Sequence, residues 1–400
     1  MENNLNSTPS ANRVRIGFFG SRNAGKSSVV NAFAGQEVSI ISETPGTTTD
    51  PVVKSMELLP LGPVTLVDTA GIDDEGDLGA VRVKKTQTEL ERCDVALLVV
   101  DAAKGMTDSD RELEKRFAER KIPCLTVFNK CDLKKPEVFR PDAVCVSAKT
   151  GENIDRLRET VAALAKTASR DAGLFDGKLG REDIVVFVTP IDGSAPKGRM
   201  ILPQVRALRD ALDLRAVCVF CQTEQLSATL SALAKPPKLV VTDSQVFGVV
   251  KKILPESVAL TSFSILLAHA NGILETAVRG AAKLSQLKDG DVVIVSEGCT
   301  HHRQCEDIGT VKLPGWIEGF SGAKPSFRFT SGGDFPESLD GVALVLHCGG
   351  CMLTQKEMFR RMKIAERESV PFCNYGIAIA HMNGILKRSL EIFPDLAKLV

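Results

Sequence analysis

The stretch GSRNAGKS, residues 20–27, fits G-x-x-x-x-G-K-[ST], and the chemistry of that pattern is phosphate binding. Backbone N–H groups of such a loop surround phosphate oxygens, and the N-terminus of the helix that follows adds its positive end. Lys26 brings a cation to the β- and γ-phosphates and Ser27 a hydroxyl to Mg2+, while Gly20, Asn23, Ala24, Gly25 and Ser28 complete the expected lining. Three later stretches narrow the reaction. DTAG (68–71) supplies Asp68 to hold Mg2+ through water and the Gly71 N–H for a γ-phosphate. NKCD (129–132) supplies Asn129, Lys130 and Asp132. A carboxylate at Asp132 accepts from both N1–H and N2–H2 of guanine; adenine has no such donor pair, so the residue selects GTP over ATP. SAKTG (147–151) supplies Ser147, Ala148 and Lys149, with the Ala148 N–H facing guanine O6. Each stretch alone would pass for a turn at a strand end. In this order and at these intervals they predict GTP binding and hydrolysis.

A second group of residues has softer chemistry. LVLHCGGC (344–351) is an apolar run that ends in a histidine and two cysteines, and EGCTHHRQC (297–305) ends another run the same way. Together they read C-x-H…H-C-x-x-C: Cys299, His301, His347, Cys348 and Cys351. Ligands gather at the carboxyl ends of neighbouring parallel strands, so two such ends would bring these groups together. The set suits zinc or an iron–sulfur cluster, and spacing alone leaves both open. A labile position could fall to His347, His301, Glu306, Asp307 or solvent; Cys305, Cys373 and His302 read equally well as bystanders. Cys124, Cys145 and Cys218 sit in apolar runs and are expected to be small buried hydrophobes. Cys218 and Cys221 form a C-x-x-C, but on a strand they point to opposite faces and make no ligand pair.

The elements that must position these residues follow from the pattern. VRIGFFG, VTLVDTAG, DVALLVVDAA, IPCLTVFNK and AVCVSAK read as buried strands alternating with helical stretches, which implies parallel βαβ units. The fold class expected is α/β: a P-loop GTPase domain followed by two smaller α/β domains with mainly parallel sheets. The expected divisions are a loose tail at 1–12, the GTPase domain at 13–169, a linker at 170–183, an α/β domain at 184–265 and a third domain at 266–400. DIVVFVTP, LRAVCVFCQ, PKLVVTD and SVALTSFSILLA are the expected strands of the middle domain, which carries no site of its own and suits oligomerisation. Among the 400 residues, 50 Lys and Arg balance 50 Asp and Glu, which gives no sign of a nucleic-acid partner. No run of about 18 apolar residues occurs, so no membrane span is expected. The polar start, with no apolar leader, makes a cytoplasmic location the expectation, and there the 11 cysteines would stay reduced.

Residues 13–168 resemble the translation-factor-like GTPases, in particular the branch that includes Era and the tRNA-modifying MnmE enzymes. GTTTD (46–50) is similar to that branch's switch I, which implies Thr48 as a Mg2+ ligand, with Thr47 as the alternative. Ile72 stands where Ras-like enzymes carry a water-orienting Gln, so intrinsic hydrolysis is expected to be slow. Asn23 lies where related GTPases ligate K+, which implies K+ stimulation in place of an arginine finger.

Over nearly the whole chain the sequence resembles the HydF family, the maturation GTPases of iron-iron hydrogenases. The tail motif carries the resemblance, together with TPIDGSAPKGRMILPQV (189–205), GCTHHRQCEDIG (298–309) and NYGIAIAHMNGILKR (374–388). It implies a 4Fe–4S cluster on Cys299, Cys348 and Cys351 with a replaceable fourth ligand, and a homodimer formed by the middle domain. It also implies a scaffold that receives a di-iron subcluster precursor made with two radical S-adenosylmethionine maturases and passes it to the hydrogenase apoprotein. The alternative is a GTPase of RNA modification or ribosome assembly with a structural zinc tail.

Overall fold

The computed structural model describes residues 13–35, 52–69, 86, 88–136, 140, 142–168, 173–191, 200–298 and 308–400. The chain divides into two compact units, residues 1–170 and 171–400.

In the first unit, β1 (Val14–Phe19) leads into α1 (Lys26–Ala34), followed by β2 (Val52–Leu58), β3 (Gly62–Asp68), β4 (Val95–Asp101), α2 (Asp108–Glu119), β5 (Cys124–Asn129), β6 (Ala143–Cys145) and α3 (Ile154–Ala168). The six strands lie in the order β2-β3-β1-β4-β5-β6. All neighbours are parallel except β2, which pairs antiparallel with β3. β4 is buried along its whole length, as a central strand covered on both faces must be. One face packs Phe18, Leu97 and Val127 against Val29 and Phe33 of α1 and Val161 of α3. The other packs Phe19, Leu98 and Val100 against Leu113 and Phe117 of α2. Each such side chain contributes roughly 1.5–3 kcal/mol by leaving water. The expected strands of this domain all form. β2 was not expected: it alternates half-buried with exposed residues, and Lys54 and Glu57 disguise it as a loop.

The second unit holds two four-stranded sheets, each with every neighbouring pair parallel. The first is built from β7 (Ile184–Val188), α4 (Leu202–Asp213), β8 (Val217–Cys221), α5 (Leu226–Ala232), β9 (Leu239–Thr242), α6 (Phe247–Ile253) and β10 (Ala259–Ser262), with strand order β10-β9-β7-β8. α7 (Phe263–Ala270) and α8 (Leu274–Ala281) lead to β11 (Val292–Glu297), α9 (Leu313–Ser321), β12 (Ser326–Ser331), β13 (Val342–His347), α10 (Gln355–Arg367), β14 (Phe372–Asn374) and α11 (Tyr375–Met382). The second sheet runs β12-β11-β13-β14. A single core includes Phe187 and Val241 of the first sheet, Leu266 and Ile265 of α7, and Val295 and Leu346 of the second.

Several expectations are corrected here. SVALTSFSILLA is a strand only to Ser262; the Ser262 hydroxyl then accepts from the Ile265 N–H at 3.2 Å and starts α7, so the expected division at 265/266 falls inside a helix. Part of the expected linker packs: Leu174 and Phe175 are buried in the second unit, and the Phe175 N–H donates to Asp210 Oδ2 at 3.0 Å. Cys124, Cys145 and Cys218 are partly exposed, because Cys124 opens its strand and the other two lie on edge strands, β6 and β8. The expected tail at 1–12 lies outside the described residues. Among the described residues, no helix is long and apolar enough to cross a membrane.

Candidate functional site

The loop between β1 and α1 depends on two glycines. Gly20 has φ +137°, and a Cβ there would come within 2.2 Å of the Val99 carbonyl; Gly25 has φ +87°, and a Cβ would meet Asn129 Nδ2 at 2.4 Å. The Lys26 ammonium turns back into the loop and donates to the carbonyls of Gly20 and Ser21, both at 2.9 Å. Parallel pairing places Asp68 beside Phe18, and the Ser27 hydroxyl donates to Asp68 Oδ2 at 2.6 Å. The two side chains expected around Mg2+ are therefore brought together. Thr48, Thr47, Gly71 and Ile72 lie outside the described residues.

The stretches expected to read the base meet the same loop. Asn129, buried at the end of β5, donates from Nδ2 to the Ala24 carbonyl at 3.1 Å, and its Oδ1 accepts from the Ala148 N–H at 3.1 Å. Lys130 donates from Nζ to the Asn23 carbonyl at 2.8 Å and to Asp101 Oδ2 at 2.7 Å. Burial opposes ionisation of Asp101, but hydrogen bonds from Lys130 and the Ala103 N–H outweigh it and hold the carboxyl below the usual range. Ser147 is buried, with Oγ accepting from the Thr150 N–H at 3.2 Å, whereas Asp132 and Lys149 are exposed. Ser28 is half-buried on α1.

Sequence reasoning missed two carboxylates. Asp101 ends β4 at the same sheet edge as Asp68. Asp110 closes a capping box with Thr107 and accepts at Oδ1 from the Ser21 N–H (3.1 Å) and hydroxyl (2.8 Å), tying α2 to the phosphate loop. The T-x-x-D spacing was the available signal. Asp132→Asn should weaken GTP binding about a hundredfold, since two charge-assisted hydrogen bonds at about 1.5 kcal/mol each are at stake. It should also favour xanthine nucleotides, because an amide can donate. Nucleotide competition measures both, and unchanged discrimination would separate Asp132 from base reading.

In the second unit, β11 and β13 pair in parallel with Ser296 opposite His347. Just beyond, Cys348 Sγ accepts from the N–H groups of Gly298 at 3.1 Å and Gly350 at 3.4 Å. Burial pushes the Cys348 thiol up, and these two N–H groups oppose the shift. Gly350 has φ +68°, and a Cβ there would meet Met358 Sδ at 2.5 Å. Cys351 is partly exposed in the same turn, whereas Cys373 is fully buried in β14. His347 differs from the expectation of a metal-facing group. It is fully buried: Nδ1 lies 2.8 Å from the Cys348 carbonyl and Nε2 lies 2.9 Å from Arg361 Nη1. A ring that donates from Nδ1 and accepts at Nε2 satisfies both contacts, and both nitrogens are then engaged within the protein. Burial first, and the Arg361 charge second, push its pKa down to about 3. Arg361 is itself buried and is held by Glu357, whose Oε1 accepts from Arg361 Nε at 2.9 Å. Cys299, His301, His302, Cys305, Glu306 and Asp307 lie outside the described residues; among the described residues no cluster of three metal-ligating side chains forms.

The hydrogen maturase F dimerization domain matches residues 174–272 and the hydrogen maturase F tetramerization domain matches residues 275–392. The chain belongs to the hydrogen maturase F family. Residues 15–130 match the 50S ribosome-binding GTPase family model, so the family member carries a GTPase domain ahead of two self-association domains. Similar curated proteins include the tRNA modification GTPase MnmE of Nitrosomonas europaea, 38% identical over 167 residues, which are 40% of this chain and 36% of that protein. GTPase Der of Nitratiruptor sp. is 33% identical over 177 residues, 40% of this chain and 38% of that protein. The chain thus spans well under half the length of these relatives. Among solved structures, Era of Aquifex aeolicus bound to GDP and aluminium fluoride covers 80% of this chain and 94% of its own, at 18% identity and a TM-score of 0.35.

Proposed function

We propose that the chain is a GTP-hydrolysing scaffold that holds a 4Fe–4S cluster in its second unit and carries a di-iron subcluster precursor to iron-iron hydrogenase. Membership of the hydrogen maturase F family supports the reading. The observation that carries the cluster site is the Gly298 N–H bond to Cys348 Sγ. It brings the residue that precedes Cys299 against one thiol of the C-x-x-C turn. N–H groups aimed at a sulfur suit a thiolate bound to iron, so the residues present fit the group. Cys299, Cys348 and Cys351 would hold the cluster, which would supply an iron with one replaceable position for the cargo. His301, Glu306, Asp307 or solvent would fill that position, and His347 only after leaving Arg361. The homodimer, two radical S-adenosylmethionine maturases and the hydrogenase apoprotein are the partners in this reading, in the cytoplasm, with no nucleic acid.

Iron, acid-labile sulfide and electron paramagnetic resonance of anaerobically prepared protein test it. Cys299→Ser, Cys348→Ser and Cys351→Ser should each lose the cluster; Cys305→Ser and Cys373→Ser should keep it. A full cluster in any of the first three breaks the ligand assignment, and zinc in place of iron breaks the scaffold reading in favour of a structural zinc tail.

In the nucleotide site, Ser27, Thr48 and Asp68 would position Mg2+, Lys26 and the Gly71 N–H would meet developing phosphate charge, and Asn23 would ligate K+. Hydrolysis should then be slow, and faster in K+ than in Na+ at equal ionic strength. Asn23→Ala should remove the difference; equal rates in the two salts for the unaltered protein would refute this role.

A further inference from the structure

The base-reading stretch NKCD carries one residue that guanine recognition leaves unused. Cys131 lies between Lys130 and Asp132, two residues from Asn129. Cys145, the last residue of β6, lies two residues before Ser147. The β5–β6 register pairs Cys145 with Phe128, and the Cys131 backbone is drawn to the same place: its N–H donates to the Val146 carbonyl at 3.1 Å. The Cys131 thiol lies 3.2 Å from the Phe128 carbonyl, which also accepts the Val146 N–H at 2.8 Å. Both residues pack against the same apolar face, that of Phe19, Leu98 and Phe128, and both are partly exposed. Two cysteines are therefore neighbours on one face, between the stretches assigned to the base.

We propose that Cys131 and Cys145 form an oxidation site at which a hydroperoxide closes a disulfide and loosens guanine-nucleotide binding. Burial, then the neighbouring thiol, push Cys131 up to about 12, and its thiol donates to the Phe128 carbonyl. The Cys131 thiol is held by the Phe128 carbonyl, which assigns the first attack to Cys145 and the resolving role to Cys131. In the first step the Cys145 sulfur attacks the O–O bond of hydrogen peroxide; that bond breaks, one water leaves, and Cys145 becomes a sulfenic acid. In the second step the Cys131 sulfur attacks the Cys145 sulfur; the S–O bond breaks, a second water leaves, and the S–S bond forms. The pair loses two protons and two electrons and the peroxide gains them.

The consequence for the site is mechanical. A disulfide needs its sulfurs at about 2.05 Å, well inside the contact distance of two unbonded sulfurs, so forming it draws the turn at 130–132 and the end of β6 toward each other. Lys130, in a left-handed conformation at φ +66°, and Asp132 flank the sulfur that moves. Lys130 also holds the Asn23 carbonyl and Asp101, so the phosphate loop feels the change as well.

This inference rests on the reading that 129–132 and 147–149 hold the base, but not on the cluster. The test uses the full chain, prepared without oxygen, then treated with hydrogen peroxide and afterwards with dithiothreitol. Peptide mapping should find a Cys131–Cys145 link lacking two hydrogens, and titration with a fluorescent GDP should show affinity falling about tenfold and returning on reduction. Cys131→Ser and Cys145→Ser, each compared with its own reduced form, should keep their affinity through the treatment; agreement between the two guards against a folding defect in either. Peroxide that oxidises other cysteines without forming this link overturns the proposal, as does an equal loss of affinity in the Cys145→Ser protein. A link that forms with no change in affinity overturns the functional half. Failure of the base-reading assignment itself would show separately, in Asp132→Asn.

Discussion

Lys26→Ala abolishes GTP hydrolysis, with an expected loss of at least about a thousandfold, the scale of removing a preorganised donor to transition-state charge. The Lys26 ammonium is buried and fixed by the Gly20 and Ser21 carbonyls, so the cation is held in the loop and need not be recruited from solvent. Its loss should leave the unit intact, because the side chain packs against the loop and contributes nothing to the apolar faces around Phe18 and Phe19. The second unit has its own core, from Leu174 to Phe393, with no member among the described residues of 1–170. Iron bound by the second unit, and its unfolding midpoint in denaturant, should therefore match those of the unaltered protein. Phosphate release measured beside iron content checks both halves. Hydrolysis that persists would remove Lys26 from the reaction, and iron lost together with hydrolysis would show that the two units fold as one.

The nucleotide site was legible because its chemistry is local. Each of its four stretches follows directly on a strand end, and a parallel sheet delivers such ends to one edge whatever the packing elsewhere. Hence Ser27 meets Asp68, and Asn129 ties Ala24 to Ala148. Asp101 was passed over because a lone strand-end carboxylate has no pattern around it. Its role appears only when Lys130, 29 residues on, reaches back. The second unit was less legible. β12 (SFRFTS) carries Arg328 and alternates weakly, being an edge strand with half its residues exposed, and β14 is three residues long. No pattern in LVLHCGGC distinguishes a histidine that faces iron from one that faces Arg361. The difference is made by a helix 14 residues away, whose arginine has no outlet to solvent.

That arginine is the source of the second large effect. Arg361→Met should destabilise the second unit by about 3 kcal/mol, the lower end of the 3–5 kcal/mol typical when one partner of a buried ion pair is removed. Glu357 would keep Arg360, which donates from Nε at 2.9 Å, so its carboxylate would not be stranded. The loss is large nevertheless because Arg361 satisfies several groups at once. It bonds Glu357 and the Gly332 carbonyl, donates to His347 Nε2, and lies over the Phe335 ring at 5.2 Å. Methionine fills similar volume but offers no donor, leaving a half-buried carbonyl and a buried imidazole nitrogen without their partner. Glu357→Gln added to Arg361→Met should add to the loss, since it removes the carboxylate that Arg360 still pairs with. Arg361→Lys should recover little, because a point charge with a tetrahedral head cannot serve three acceptors held in a planar fork. The midpoint and slope of denaturant unfolding measure all three variants. Arg361→Met with unfolding unchanged from the parent protein would mean that the Glu357–Arg361–His347 chain is not what fixes His347 and, through its Nδ1 bond, the Cys348 carbonyl.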